Sequence, residues 1–329
     1  MDTGVTGMRD HGGDLDRAIQ KYGTGDWLDL STGINSRPYP VPDIPMRAWS
    51  ALPTSTDRQT LETAAARNYN TSANVVALAG AQAAIQLVPR LRQPGHACII
   101  GPTYNEHAAA LRAQGWRVTV IGHPSEGVGA DLVTVVNPNN PDGRHWRPEE
   151  LLDLREHVGL LVVDESFADT EAGISLAPFI DINEQKIIVL RSFGKFYGLA
   201  GLRLGFALTG SHFADCLRNL AGPWAVSGQA IAIGQRALAD TNWQKETRDR
   251  LHKEAQRLDE LAHKSGWTLV GGTALFRTYD TPNAVQAQEK LARNHVWSRI
   301  FPYSENWLRL GLPGTETGWA QLERALMDS

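Results

Sequence analysis

The 329-residue chain predicts an α/β fold: a mostly parallel sheet with helices on both faces, followed by a smaller α/β C-terminal domain. Three observations predict it. Short apolar runs recur from about residue 75 to residue 208, with helix-patterned segments between several of them. The last two runs are joined by a connection too short for a helical crossover, which predicts an antiparallel strand there. After Ser211 the pattern turns mainly helical, and residues 243–265 carry widely spaced apolar residues among many charges, as an exposed helix bridging two lobes does. The expected division is an N-terminal arm over residues 1–45 packing on the small domain, a large domain over 46–215 and a small domain over 216–329.

In chain order, the first fifty residues are irregular and rich in Gly, Pro and Asp, with one helix expected at Leu15–Tyr22. Two stretches stand out there, His11-Gly12-Gly13-Asp14 and LSTGIN (30–35). The helix pattern DRQTLETAAARNY (57–69) leads to the apolar run VVAL (75–78), then Gly80-Ala81-Gln82 and a further helix. Strands follow at ACIIG (97–101), WRVTVIG (116–122), DLVTVV (131–136), LLVVDE (160–165), IIVL (187–190) and LRLGFAL (202–208). Helices are expected at 105–114 and 148–158, and beyond the bridging helix come the strand pattern TLVGGTALFRTY, a helix near 283–294, and a last helix from Thr317.

Composition limits the function classes. With 42% hydrophobic and 21% charged residues the chain reads as soluble and globular. A net charge of −4 gives no reason to expect a nucleic acid or an anionic membrane as partner. Cys98 and Cys216 fall on a predicted strand and a predicted helix, so no disulfide framework is expected. No apolar run approaches bilayer length and the start carries no apolar signal region, so a cytoplasmic location is the expectation.

The chemistry gathers around LRSFGKFYGLAGLRLGF (190–206). Its one lysine, Lys195, lies on a short turn between two predicted strands, where a confined amine can lose its proton and attack an aldehyde to form a Schiff base. Ser192 and Arg203 flank it as a hydroxyl and a cation suited to a phosphate. The turn Gly80-Ala81-Gln82, between a strand and a helix, is a second phosphate-binding arrangement. Tyr104, after the strand ACIIG, can stack on a flat ring, and Asn140, in NPNNPDG (137–143), can donate to a ring oxygen. Asp164, ending LLVVDE, can pair with a ring nitrogen, and as a buried charge it calls for a partner. Aldehyde, phosphate and pyridine ring together describe pyridoxal 5′-phosphate.

These residues, in this order at successive strand ends, resemble the fold-type I pyridoxal-phosphate enzymes, in the branch that holds histidinol-phosphate aminotransferases and the threonine-phosphate decarboxylases of cobalamin biosynthesis. The resemblance covers nearly the whole chain. It implies a Schiff-base role for Lys195, a ring-nitrogen contact for Asp164, a ring-oxygen contact for Asn140, stacking by Tyr104, and phosphate binding by Ser192, Arg203 and Gly80-Ala81-Gln82. It also implies that Arg309, in NWLRLGLPG, clamps a substrate carboxylate, and that His11, Gly12, Gly33 and Asn35 close over a phosphorylated amino acid. HGGD, STGIN and GPWAVSGQA (222–230) are more similar to the decarboxylase group, which implies decarboxylation of L-threonine O-3-phosphate to (R)-1-amino-2-propanol O-2-phosphate. Transamination of histidinol phosphate or a related amino acid is the alternative, and a non-enzymatic scaffold a second one. A homodimer is implied by the family. Three positions depart from its pattern: Phe167 stands where a tyrosine is usual, Gly194 where a hydroxyl often precedes the lysine, and ALPTSTD (51–57) lacks the tyrosine that reaches a neighbouring subunit's cofactor phosphate.

Overall fold

The computed structural model describes residues 11–171 and 173–327; residues 1–10 of the expected arm lie outside them. Seven strands form the large sheet: β1 (Asn74–Leu78), β2 (His96–Ile100), β3 (Arg117–Ile121), β4 (Leu132–Val136), β5 (Leu161–Asp164), β6 (Ile187–Ser192) and β7 (Gly205–Thr209). Their spatial order is β1-β7-β6-β5-β4-β2-β3. All neighbours run parallel except β7, which is antiparallel to both β6 and β1, as the short connection predicts.

The sheet is covered on both faces: its central strands are buried at every position and apolar at most of them, not at alternate ones. Along β6, Ile187 and Val189 enter one buried cluster while Ile188 and Leu190 enter the other. Helices Ala81–Leu87, Glu106–Ala113 and Ser211–Ala221 contribute to the second cluster; Ser55–Asn68, Pro148–Glu156 and Gly228–Ala239 contribute to the first. Only the edge strand β3, with Arg117 and Thr119, has largely accessible residues. The parallel strands β2, β4, β5 and β6 end at the same side of the sheet, so the loops that follow them converge there.

A second, antiparallel sheet consists of β8 (Thr268–Thr273), β9 (Phe276–Asp280), β10 (Arg299–Phe301) and β11 (Ser304–Gly311), in the order β10-β11-β9-β8. The arm runs beside it: Leu28–Asp29 pairs with Val296–Trp297, and the Gly311 amide donates to the Leu30 carbonyl at 2.7 Å. Helix Thr241–Lys264 bridges the lobes, but one face of it is buried, contrary to the exposed helix expected. Leu251, Ala255, Leu258 and Ala262 recur at helical spacing, while Arg250, Glu254, Arg257 and Asp259 form ion pairs. Arg248 donates to the Asp169 carbonyl at 2.7 Å, and Asp259 accepts from Arg277 and Tyr279 of β9.

The loop after β4 reaches the small sheet by close backbone approach. Gly143 has φ +68°, and a Cβ there would lie 2.1 Å from the Gly272 carbonyl oxygen of β8. Thr278 of β9 donates to the Pro141 carbonyl at 2.5 Å. Gly143→Ala should therefore lower the melting temperature measured by calorimetry, since the clash adds to a left-handed backbone that costs a substituted residue about 1–3 kcal/mol.

Candidate active site

Lys195 lies in a four-residue helix, Phe193–Phe196, that begins where β6 ends. Phe193, Gly194 and Phe196 are buried around it, and its amine lies 5.5 Å from the centre of the Phe167 ring. Burial first, then the positive charge of Arg309 and of Arg203, lower its pKa to about 8, against an opposing pull from Asp164. The absence of a hydroxyl residue before the lysine has a steric cause: a Cβ on Gly194 would meet the Ala200 Cα at 2.8 Å.

A cavity of about 170 Å³ opens beside the amine, lined by Gly80, Ala81, Gln82, Tyr104, Asn140, Asp164, Phe167, Ser192, Arg203 and others. At one end Arg203 adopts a left-handed backbone (φ 53°), a conformation that β-carbon sterics disfavour. Its guanidinium lies against Gly80, whose left-handed backbone (φ +82°) favours glycine at that turn. The first amides of helix Ala81–Leu87 and the Ser192 hydroxyl complete an anion-binding end. The Gln82 side chain is engaged elsewhere: it accepts from the Tyr104 hydroxyl at 3.2 Å and donates to Glu106 at 2.9 Å. Its contribution to an anion is thus its backbone.

Asp164 stands at the other end, buried. Its Oδ1 accepts from the Ser166 amide at 3.0 Å and hydroxyl at 2.5 Å; Oδ2 lies 2.8 Å from His107 Nε2. Burial alone would raise its pKa, but the hydrogen bonds and charge of His107, with those of Ser166, outweigh it and hold the carboxyl below its ordinary range. Of the three asparagines in the loop after β4, Asn137 and Asn139 brace backbone and side chains of the loop itself, while Asn140 faces the cavity. Asn140 Oδ1 accepts from Arg309 Nη1.

A second cavity, about 350 Å³, shares Tyr104, Asn140, Phe167 and Lys195 with the first and adds His11, Gly12, Gly33, Arg299, Tyr303 and Arg309. Arg309 is buried against Phe276 and Phe301, donates to the Ser31 carbonyl at 2.7 Å, and keeps a buried Nε without a partner. Its pKa falls to about 10, through burial and then the charge of Arg299. Arg299 and Arg309 are directly opposed across β10 and β11. His11 is 3.0 Å from Glu106, and Gly33 packs where a Cβ would touch Phe167 and Phe276.

Asn35 is the correction among the expected site residues. It lines neither cavity; it is 2% exposed, and its side chain is occupied by Phe196, Arg37 and Arg250. Sequence reasoning missed His107, Ser166, Glu106, Arg299 and Tyr303. The need of Asp164 for a partner pointed toward His107 without naming it. Arg299 was findable from its place one hairpin before Arg309.

The first cavity fits pyridoxal 5′-phosphate on the chemistry of its donors: a cation and amides for a phosphate, a buried carboxylate held ionised by His107 and Ser166 for a ring nitrogen, and a lysine that gives up its proton more readily than an ordinary one. Among the described residues no cluster suited to a metal ion is present.

Residues 46–326 match the family described as aminotransferase class I and II. The chain is 44% identical to a threonine-phosphate decarboxylase of Pseudomonas aeruginosa, over 97% of this chain and 98% of that one, and 42% identical to another from Sinorhizobium sp, over 96% and 97%. Among solved structures, it superposes on a histidinol-phosphate aminotransferase of Sinorhizobium meliloti in complex with pyridoxal-5′-phosphate with a TM-score of 0.80 at 20% identity, over 94% of this chain and 92% of that one. An L-threonine-O-3-phosphate decarboxylase of Porphyromonas gingivalis gives 0.70 at 19% identity, over 90% and 97%.

The lowered pKa of Lys195 sets the direction of one test. In protein stripped of cofactor, acetylation of Lys195 followed by mass spectrometry should rise with pH through a midpoint near 8, while surface lysines respond near their ordinary 10.5. His107→Ala leaves burial of Asp164 without its main opponent, so the carboxyl pKa rises. Retention of cofactor, read by visible absorbance during dialysis, should then fail at a higher pH than in the parent as acid is added.

Proposed function

The chain belongs to the class I and II aminotransferase family, and we propose that within it the protein decarboxylates L-threonine O-3-phosphate, giving (R)-1-amino-2-propanol O-2-phosphate and carbon dioxide for cobalamin biosynthesis. The observation that carries this reading is the pair Arg299 and Arg309, opposed on neighbouring strands and facing one cavity with Lys195. Like charges directly across a strand pair repel each other. Two guanidinium groups lining one cavity suit a ligand with two anionic groups, and an amino acid carrying a phosphate is such a ligand. Two relatives at 44% and 42% identity over nearly the full chain, both threonine-phosphate decarboxylases, support it.

Pyridoxal 5′-phosphate, when bound, supplies an electron-withdrawing ring conjugated to the substrate's α-carbon. Asp164, kept ionised by His107 and Ser166, would hold a proton on the ring nitrogen. Asn140 would donate to the ring oxygen; since Phe167 offers no hydroxyl, it would do so without help from that position. Tyr104 would pack on the ring, and Ser192, Arg203 and the Gly80-Ala81-Gln82 amides would hold the phosphate; all of them line the first cavity. Arg309 holds the carboxylate and Arg299, with His11 and the Gly12 and Gly33 backbone, the substrate phosphate. Anchoring both anions fixes rotation about the α-carbon, and so selects which bond breaks. Lys195, with a pKa near 8, can return a proton to that carbon.

The proposal extends to assembly and place. Met46, Trp49, Leu52 and Trp224 are each more than half exposed, an apolar set we assign to a homodimer interface. No helix among the described residues is long and apolar enough to cross a membrane, and the reading places the enzyme in the cytoplasm. An arm, a large cofactor domain and a small domain remain the division we propose. Helices Ser211–Ala221 and Gly228–Ala239 join the large domain, because the first packs on its sheet and the second on helix Ser55–Asn68.

Cofactor-loaded protein given L-threonine O-3-phosphate without any 2-oxo acid should release carbon dioxide over many turnovers. Arg299→Ala should raise KM for that substrate by roughly tenfold to a hundredfold, the loss of a hydrogen bond to a charged group, while the visible cofactor band is retained. Amine transfer from histidinol phosphate to 2-oxoglutarate, without carbon dioxide, would sink the decarboxylase reading and leave the family intact.

A further inference from the structure

The turn that carries Lys195 is held from behind by a segment with no access to either cavity. The Asn35 amide donates to the Lys195 carbonyl at 3.0 Å, and its side-chain nitrogen donates to the Phe196 carbonyl at 2.9 Å. Two residues of the lysine helix are thus tied to one buried asparagine. The Tyr39 amide continues the pairing on the Tyr197 carbonyl at 2.8 Å, and Gly198 (φ +68°) passes so close that a Cβ would lie 2.5 Å from the Asn35 carbonyl. The asparagine is itself fixed: its side-chain oxygen accepts from the Arg37 amide at 3.1 Å and from Arg250 Nη2 at 2.9 Å. Arg250 comes from helix Thr241–Lys264 and is paired with Glu254 at 3.0 Å; Arg37 reaches the same carboxylate at 3.2 Å.

We propose that Asn35, held in place by Arg250, is a positioning residue for Lys195, fixing the carbonyls of the lysine helix and with them the point at which the amine enters the cavity. A side-chain amide suits the place: one end must donate to a carbonyl while the other accepts from a guanidinium and an amide. The arrangement also joins three separate elements, the arm, the β6 turn and the bridging helix, at the one residue that needs accurate placement. The inference rests on the pyridoxal-phosphate reading of the first cavity and is independent of which amino acid is the substrate.

The test compares Asn35→Ala and Arg250→Met with the parent as cofactor-loaded protein. Asn35→Ala should lower kcat on the order of tenfold to a hundredfold, the scale of a small misplacement, with KM for L-threonine O-3-phosphate within about twofold. Loosening the turn lets water reach the amine and carries it away from Arg309 and Arg203, with Asp164 the nearby counter-charge. The pH midpoint of the visible cofactor band should therefore rise in both variants, a shift that a change in folded fraction does not produce. Arg250→Met, at the outer end of the contact, should act in the same direction with a smaller loss of kcat, and the double variant should fall short of the product of the single effects. A rise in KM with kcat retained would make Asn35 a substrate contact and overturn the proposal, as would an unmoved band midpoint in Arg250→Met. The band is read without substrate, so it still decides if threonine phosphate proves to be the wrong substrate.

Discussion

A lysine amine held at the end of a buried strand, between two arginines, is the constraint to which the rest of the site answers. Burial, Arg309 and Arg203 all disfavour the ammonium form, and only Asp164 favours it. The unfolded chain keeps its proton up to the ordinary value of 10.5, so it binds more protons than the folded chain between about 8 and 10.5. Stability of the cofactor-free protein accordingly rises with pH across that window, and below it the full penalty applies, on the order of 3 kcal/mol for a shift of this size. The protein carries this cost where its sheet is strongest, since β5 and β6 are buried at every position and packed on both faces.

The same strands carry a second set of buried charges. Arg191, just before Ser192, donates to Glu165 at 2.8 Å and to Asp169 at 2.6 Å, and its guanidinium lies 4.4 Å from the centre of the Tyr69 ring. Burial works against its charge, but the two carboxylates outweigh burial and keep it ionised. Glu165 and Asp169 bracket the segment that presents Ser166 and Phe167, so the ion cluster fixes the loop that orients Asp164. Removing one member would strand a buried charge, which is more damaging than never having had the pair. Its value lies in specifying one geometry at the strand end.

The sequence carried the part of the site that follows from the sheet. Asp164 ends a strand of the parallel set, Lys195, Asn140 and Tyr104 come just after one, and parallel strands align their ends whatever the loops between them do. Register across a hairpin was not legible in the same way. Arg299 and Arg309 become partners only because the turn at Pro302-Tyr303 and a bulge beside Ile300 bring them opposite one another. His107 is hidden for a similar reason, since it meets Asp164 from a helix after another strand. The bridging helix was misjudged because its buried face includes Gln244, Thr247 and Glu254, polar residues that conceal the apolar spacing. Asn35 lies in a stretch that resembles substrate-binding segments, yet it serves the backbone behind the lysine.

Chemistry and substrate choice thus rest on different parts of the chain. The residues that would handle the cofactor issue from one sheet, whose strand order and burial leave little freedom to move them. Those that would select the substrate come from the arm and from the β10–β11 hairpin, which packs against the large domain through side chains such as Arg309. A change in hairpin register or in the residue opposite Arg309 would alter how anions are spaced without disturbing Lys195 or Asp164. On the proposed reading the orientation of the α-carbon would follow from that spacing, and hairpin residues would bias the outcome between loss of carbon dioxide and transfer of an amine on one and the same sheet.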